Sequence, residues 1–198
     1  MQADNCPVQD VRAKVPRRFW HGPVLEKAPA ALGMVLACRV GETVQRGRIV
    51  EVEAYGGSDD PASHAYRRQT PRNAVMFEPG GLAYVYFVYG MHHCLNIVTG
   101  SQGEAAAILV RALEPLENIT GRTDGPARLC AAFHIDRRFN GLPLDGDILW
   151  LEQGDAPLPN DRIARTPRIG INPATPAALW PWRFTADLRE STRKGPRR

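Results

Sequence analysis

"LAYVYFVYGMHHCLNIV", residues 82–98, is the stretch on which the fold turns. Its first half is dense in aromatic and β-branched side chains, which suit a half-buried pleated surface. Gly90 and Met91 supply a turn, and "HHCLNIV" then returns antiparallel to the first half. By alternation Tyr84 and Tyr86 share a face, and Tyr89 lies next to the turn. Upstream, "MVLACRV", "GET" and "VQRGRIVEVEAY" read as a second hairpin with a longer return strand. Strict alternation along that strand puts Ile49, Glu51, Glu53 and Tyr55 on one face, opposite Val50, Val52 and Ala54. "AAAILVRALEP" (105–115) and "DILWLE" (147–152) add two more strands. Hairpins take the place of βαβ spacing, so the reading is α+β with an antiparallel sheet.

Helical signals are few. "GPVLEKAPAALG" (22–33) suits a short helix ended by Gly33, with Pro29 as a possible break. "SDDPASHAYR" (58–67) offers an Asp as N-cap and Pro61 at the first helical position, which predicts a short helix carrying His64. "GPARLCAAFHI" (125–135) reads as a helix with Pro126 near its start, and the Pro-punctuated "RIGINPATPAALWPWRF" (168–184) as a wrap over the core. No internal repeat divides the chain. The expected organisation is an N-terminal arm (1–16), one domain (17–188) and a basic C-terminal tail (189–198).

At 198 residues and 43% hydrophobic, the chain is long enough to bury a substantial core. It has no run of eighteen apolar residues, and its N-terminus lacks the apolar stretch of a secretion signal. No membrane partner is expected, and the cytoplasm is the expected compartment. The net charge of +4 is misleading, because residues 1–20 sum to +2, residues 189–198 to +4, and the 168 residues between to −2. Bulk charge therefore does not make a nucleic-acid binder. Arg67, Arg68 and Arg72 do form a local cluster. Cys6, Cys38, Cys94 and Cys130 make no CxxC pair and read as reduced core residues. His92, His93 and Cys94 are neighbours on a strand, so they point to alternate faces and chelate poorly. No metal and no organic cofactor is expected.

Three features put polar chemistry where the strand pattern does not need it. Glu53 closes an otherwise apolar strand just before the turn-rich "GGSDDPASHAYRRQTPRN". Asn96 interrupts the apolar "CLNIV" beside the tyrosine-rich face. Arg111 interrupts "AILVRAL" and needs a carboxylate, a phosphate or a wet cleft to offset its burial. Each also has a plain structural reading. Tyr84 and Tyr86 could be core aromatics, Arg111 could pair with Glu51 or Glu53, and Asn96 could be a satisfied sheet residue. His64 could cap a surface helix, and the arginines could form a solvated face. Taken together they supply stacking surfaces, a tip side chain, phosphate clamps and a carboxylate, the parts that a base-flipping enzyme needs.

"RIVEVEAY", "SHAYRRQTPRNAVMF", "GGLAYVYFVYGMHHCLNIV", "AILVRALEP" and "GPARLC" together resemble the alkyladenine (methylpurine, 3-methyladenine) DNA glycosylase family, in family order from about residue 25 to residue 184. The resemblance implies a curved antiparallel sheet with a protruding hairpin. It also implies hydrolytic excision of alkylated or deaminated purines from double-stranded DNA by a monomer, leaving an abasic site. On matching positions, Glu53 would be the general base and Arg111 would help hold the water or a phosphate. Tyr55, His64 and Tyr86 would line the slot for the flipped base, Asn96 would guard it against the guanine amino group, and Tyr89 would insert into the duplex. Arg67, Arg68, Arg72 and Arg128 would contact the DNA backbone. Two positions depart from the family pattern: Arg128 stands where a lysine is usual, and Asp124 where Asn is frequent. Arg keeps the charge but not the geometry.

The lysines speak to mechanism. Only Lys14, Lys27 and Lys194 are present, none within the matching motifs. A glycosylase that also nicks the backbone usually uses an amine nucleophile; the N-terminal amine is left, on the expected arm, and a water-using, monofunctional reaction is the favoured expectation. A non-catalytic nucleic-acid-binding module and a purely structural domain are the competing classes, and Glu53→Gln separates the first of them from an enzyme.

Overall fold

Residues 35–56 fold back on themselves at Gly41, whose φ of +60° favours a residue without a Cβ. Strand β1 (Val35–Val40) thereby pairs antiparallel with β2 (Thr43–Gly56), in register from Val40↔Thr43 to Val35↔Arg48. The second hairpin joins β3 (Ala83–Val88) to β4 (His92–Thr99), with Tyr84 opposite Asn96 and Tyr86 opposite Cys94. Strand β5 (Ala106–Glu117) runs between β4 and β2, and β6 (Leu149–Glu152) closes the far edge on β1. The spatial order β3-β4-β5-β2-β1-β6 is antiparallel throughout, curled, and accompanied by only two α-helices, the α+β class expected. These statements rest on a computed structural model describing residues 12–88 and 90–188.

Two further strands lie at the two ends of the Pro-punctuated stretch 168–184 expected to wrap the core. Strand β7 (Ile163–Thr166) pairs with β8 (Arg183–Ala186), and β8 pairs with β2 over Glu51–Glu53. Strand β2 therefore has β5 along one side and changes neighbour on the other, from β1 to β8. Its later half is hydrogen-bonded on both edges, which makes it a stiff platform.

Helix α1 (Val24–Ala31) runs past Pro29 for one more pair of residues, and Gly33 follows its end with φ +84°. Helix α2 (Pro126–Ala132) begins at Pro126 as expected. Both helices bury apolar residues in the main core with Trp20, Leu36, Leu95, Ile108, Phe133 and Phe184. A smaller cluster, Ala65, Met76, Tyr84, Val98, Ala105 and Ala107, lies apart from it. Among the described residues no helix is long and apolar enough to cross a membrane.

Three local expectations need correction. Ile49 does not share the face of Glu51 and Glu53; it packs in the main core with Val52 and Ala54. The cause is a paired irregularity, in which Ile49↔Leu113 is followed by Glu51↔Ala112 and then Val52↔Val110. Val50 and Arg111 are left out of register, and both strands change face there. The predicted helix at 58–67 is absent: a 3-10 turn at Gly57–Asp59 leads into further turns. The Asp60 carboxylate, instead of capping a helix, accepts from the Gly56 amide (3.1 Å) and the Ala62 amide (3.0 Å). Finally, β2 continues to Gly56, so Glu53 lies inside the strand with no exposed surface, not at a solvated end.

Ahead of residue 17, Val15 is fully buried and its amide donates to the Leu151 carbonyl (2.7 Å). The rest of the expected arm, residues 1–11, and the tail, 189–198, lie outside the described residues, as does Cys6. Cys38, Cys94 and Cys130 are free and buried.

Candidate active site

On the side of the smaller cluster, β2, β3, β4 and β5 open a cavity of about 330 Å³. Tyr55, His64, Arg72, Tyr86, Asn96 and Arg111 all line it, so six of the expected site residues converge. Glu53 lies just behind the lining with its carboxylate enclosed. Oε2 accepts from the Tyr55 hydroxyl (3.0 Å) and from Arg111 Nη1 (3.2 Å). Oε1 accepts from the Ile169 amide (2.7 Å). A carboxylate oxygen has two lone pairs, so Oε1 keeps one acceptor direction free of protein donors.

Arg111 resolves the choice between its two expected partners by taking both. Its Nε donates to Glu51 Oε1 (2.8 Å), while Nη1 reaches Glu53. Arg183 Nε donates to the same Glu51 oxygen (2.7 Å). These arginines more than offset the burial that would raise the Glu51 carboxyl, and its pKa falls below the ordinary range. The Arg111 side chain departs from alternation because it occupies the irregular position of β5.

The aromatic walls are arranged unequally. His64 and Tyr86 touch edge to face, with centroids 4.5 Å apart at 75°. Tyr84 lies beside them, 5.4 Å from Tyr86. Stacked rings need about 3.5–4 Å between planes, so no base fits between His64 and Tyr86; they make one wall together. Tyr55, on β2, is the remaining aromatic face. Burial raises the phenols of Tyr55 and Tyr86, and pushes Tyr84 up to about 12, so all three keep their protons. His64 Nδ1 pairs with the Tyr84 hydroxyl (2.9 Å). Desolvation, and then the charge of Arg72, lower the His64 pKa below 6.5, which keeps the ring neutral at pH 7. Asn96 is buried at the back, where Nδ2 donates to the Tyr84 carbonyl (3.0 Å).

The loop that carries His64 and the arginines is tied by Asn73, a residue to which the sequence reading gave no role. It accepts from the Thr70 amide (2.6 Å) and hydroxyl (3.0 Å) and donates to the carbonyls of His64 (2.8 Å) and Arg68 (3.1 Å). Arg67 and Arg68 are exposed and do not line the cavity. Arg72 reaches inward, donating to the Phe87 carbonyl (3.2 Å) with its guanidinium 5.6 Å from the Tyr86 ring centre. Arg128 is exposed near the start of α2, where Pro126 lines the cavity. The two departures from the family pattern meet here: Arg128 Nη1 bonds Asp124 Oδ2 (3.2 Å), and Arg122 grips the same carboxylate (2.6 Å). Tyr89 lies outside the described residues.

The sequence reading also missed the Ile169–Gly170–Ile171 segment that lines the cavity and supplies the amide on Glu53. Its only sequence signal was a Gly between two apolar residues in a Pro-rich stretch. Among the described residues no group of three His, Cys, Asp or Glu side chains is placed to hold a metal ion. His92 is exposed, His93 packs on Phe87 (5.0 Å), and Cys94 turns into the cavity wall.

A protein-family model described as "Methylpurine-DNA glycosylase (MPG)" matches residues 18–190. Several curated relatives carry the name "Putative 3-methyladenine DNA glycosylase". The one from Myxococcus xanthus is 45% identical over 184 residues, 92% of this chain and 94% of its own length. The one from Anaeromyxobacter dehalogenans (strain 2CP-C) is 46% identical over 172 residues, 86% of this chain and 82% of its own. One from Streptomyces avermitilis is 42% identical over 192 residues, 89% of each chain.

Proposed function

The chain belongs to the methylpurine-DNA glycosylase family, DNA-repair enzymes that hydrolyse N-glycosyl bonds, and from that premise we propose a specific reaction for its cavity. The enzyme flips an alkylated or deaminated purine out of duplex DNA, stacks it between Tyr55 and the His64–Tyr86 wall, and excises it with water, without a lyase step. The observation that carries this reading is Glu53: a buried carboxylate held from three directions directly behind an aromatic cavity.

The nucleophilic water takes the acceptor direction of Glu53 Oε1 that no protein donor uses, and the enclosed carboxylate opens towards the cavity when DNA binds. As water attacks the sugar C1′, its proton passes to Glu53 and the N-glycosyl electrons leave with the purine. Arg111 Nη1 holds the Glu53 carboxylate in place from the side of Oε2. A cationic alkylpurine leaves as a neutral base, and the protonated phenols of the slot stack on it without opposing its charge. Asn96 borders the edge of the bound base. Tyr89 fills the gap left in the duplex, while Arg67, Arg68, Arg72 and Arg128 hold phosphates. Asp124 competes for Arg128, so its contact is weaker than an unpaired cation would give.

The test is excision from a labelled duplex carrying one hypoxanthine or one alkylated purine, with and without alkali, for wild type and Glu53→Gln. Breakage after alkali in wild type alone is the expected result. Breakage without alkali would overturn the water mechanism, and near wild-type excision by Glu53→Gln would remove Glu53 as the base.

A further inference from the structure

Behind the cavity lies a charged pair that the reaction above does not use. The side chains of Arg168 and Asp60 are both without exposed surface. Arg168 Nη1 donates to Asp60 Oδ2 (2.5 Å) and to the Ala54 carbonyl (2.8 Å), and Nη2 donates to Asp60 Oδ1 (2.8 Å). Its guanidinium sits over three rings, 4.6 Å from the centre of Tyr55, 5.1 Å from Trp182 and 6.0 Å from Trp180. Its Nε has no hydrogen-bond partner. As a source of stability this is a poor design, because buried pairs recover their desolvation cost only when every donor is met.

The pair does fix geometry at the reacting end of the cavity. Ala54, whose carbonyl Arg168 holds, lies between Glu53 and Tyr55. The guanidinium braces the back of the Tyr55 ring, and the next residue, Ile169, puts its amide on Glu53 (2.7 Å). Asp60 in turn holds the amides of Gly56 and Ala62, where the chain leaves β2 towards His64. We propose that Arg168, locked by Asp60, is a positioning residue for excision, setting the Tyr55 stacking face and the amide that orients Glu53 in one rigid unit. The inference rests on the roles given above to Glu53 and Tyr55. A planar fork is required: lysine keeps the charge but cannot hold Asp60 at both oxygens and Ala54 together.

The experiment compares Arg168→Lys and the isosteric Asp60→Asn with wild type, Glu53→Gln and Phe133→Leu. Phe133 is a fully buried main-core residue that does not line the cavity, and it controls for lost stability. Single-turnover excision, as a function of enzyme concentration, and duplex affinity are measured well below each melting temperature. Misplacement of reacting groups by about 1 Å lowers rates on the order of 100-fold, so a loss of that order is expected for Arg168→Lys with duplex affinity little changed. Loosening the Ile169 amide lets the Glu53 carboxylate drift, so the loss should fall on the saturated single-turnover rate and not on the enzyme concentration that gives half of it. Should Arg168→Lys fail to fold, Asp60→Asn reads the same clamp. Saturated rates matching that of Phe133→Leu would overturn the inference while Glu53→Gln stays inactive. Excision by Glu53→Gln would instead overturn the reading beneath it.

Discussion

Asn73→Ala is a test of how the loop that carries His64 and the arginine cluster is built. Asn73 is 3% exposed, and the substitution removes all four of its hydrogen bonds. At about 1 kcal/mol net for each, the loss is at most about 4 kcal/mol. Arg68 and Gln69 are exposed, so water reaches part of what is uncovered and the net cost is nearer 2 kcal/mol. That is a roughly 30-fold rise in the opened loop. The tie is local, since every partner lies within residues 64–70. Hydrogen exchange should therefore speed up by about that factor over 64–73 while β2 and β5 keep their protection. Excision should follow: His64, Arg67, Arg68 and Arg72 lose their setting, so the enzyme concentration giving half-maximal single-turnover rate rises more than the saturated rate falls. Unchanged protection over 64–73, or a loss spread evenly over the sheet, would refute the reasoning.

Two further outcomes follow from the charges. The folded-state pKa of His64 is lowered below 6.5 by desolvation and by Arg72, while Tyr84 hydrogen-bonds its ring. Its contribution to stability is therefore fully present above pH 6.5 and is lost as pH falls through the lowered value. The drop in melting temperature from pH 7.5 to about 5.5 should be smaller in His64→Gln than in wild type; an equal drop would exclude His64 as a source of acid sensitivity. Glu51→Gln takes away the carboxylate that Arg111 and Arg183 share. Burial would raise the Glu51 carboxyl, but the two arginines hold it below its ordinary value of 4.5, so its contribution to stability is fully present above that pH and is lost as pH falls through the lowered value. The melting-temperature gap between wild type and Glu51→Gln should therefore narrow as the solution is acidified below about pH 4.5; a constant gap would contradict this account of the arginine pair.

The hairpins were legible because their signals are local. Aromatic and β-branched alternation marked 83–99, and a Gly-containing turn joined β1 to β2. Glu53 and Arg111 stood out for the opposite reason, as charges that the strand pattern did not need. The missed parts depend on contacts that no short window holds. Arg168 meets Asp60 across 108 residues, and Ile169 meets Glu53 across 116. Strand β8 is only four residues long, Arg183–Ala186, too short for alternation to show among prolines and tryptophans. The face change at Ile49 escaped for another reason. Alternation assumes an unbroken ladder, and nothing in "GRIVEVEAY" announces that Val50 falls out of register. The helix expected at 58–67 failed because its N-cap carboxylate, Asp60, has a stronger partner far along the chain.

A general base must be ionised before the reaction and willing to take a proton during it, and these demands conflict. A carboxylate in a full two-pronged grip from arginine is ionised but a poor base. Here the grip is divided. Arg111 spends its shorter bond on Glu51 (2.8 Å) and its longer one on Glu53 (3.2 Å). Arg183 then balances the added charge of Glu51, leaving Glu51, Glu53, Arg111 and Arg183 neutral as a group. The register irregularity that puts Arg111 between two carboxylates belongs to the same stretch of β2 where β8 replaces β1, so the division is fixed by the sheet itself. On the opposite side of Glu53, the Ile169 amide donates without bringing a charge. The Glu53 carboxylate is thus positioned from two sides, by an arginine it shares with Glu51 and by a neutral amide carried on the residue next to Arg168.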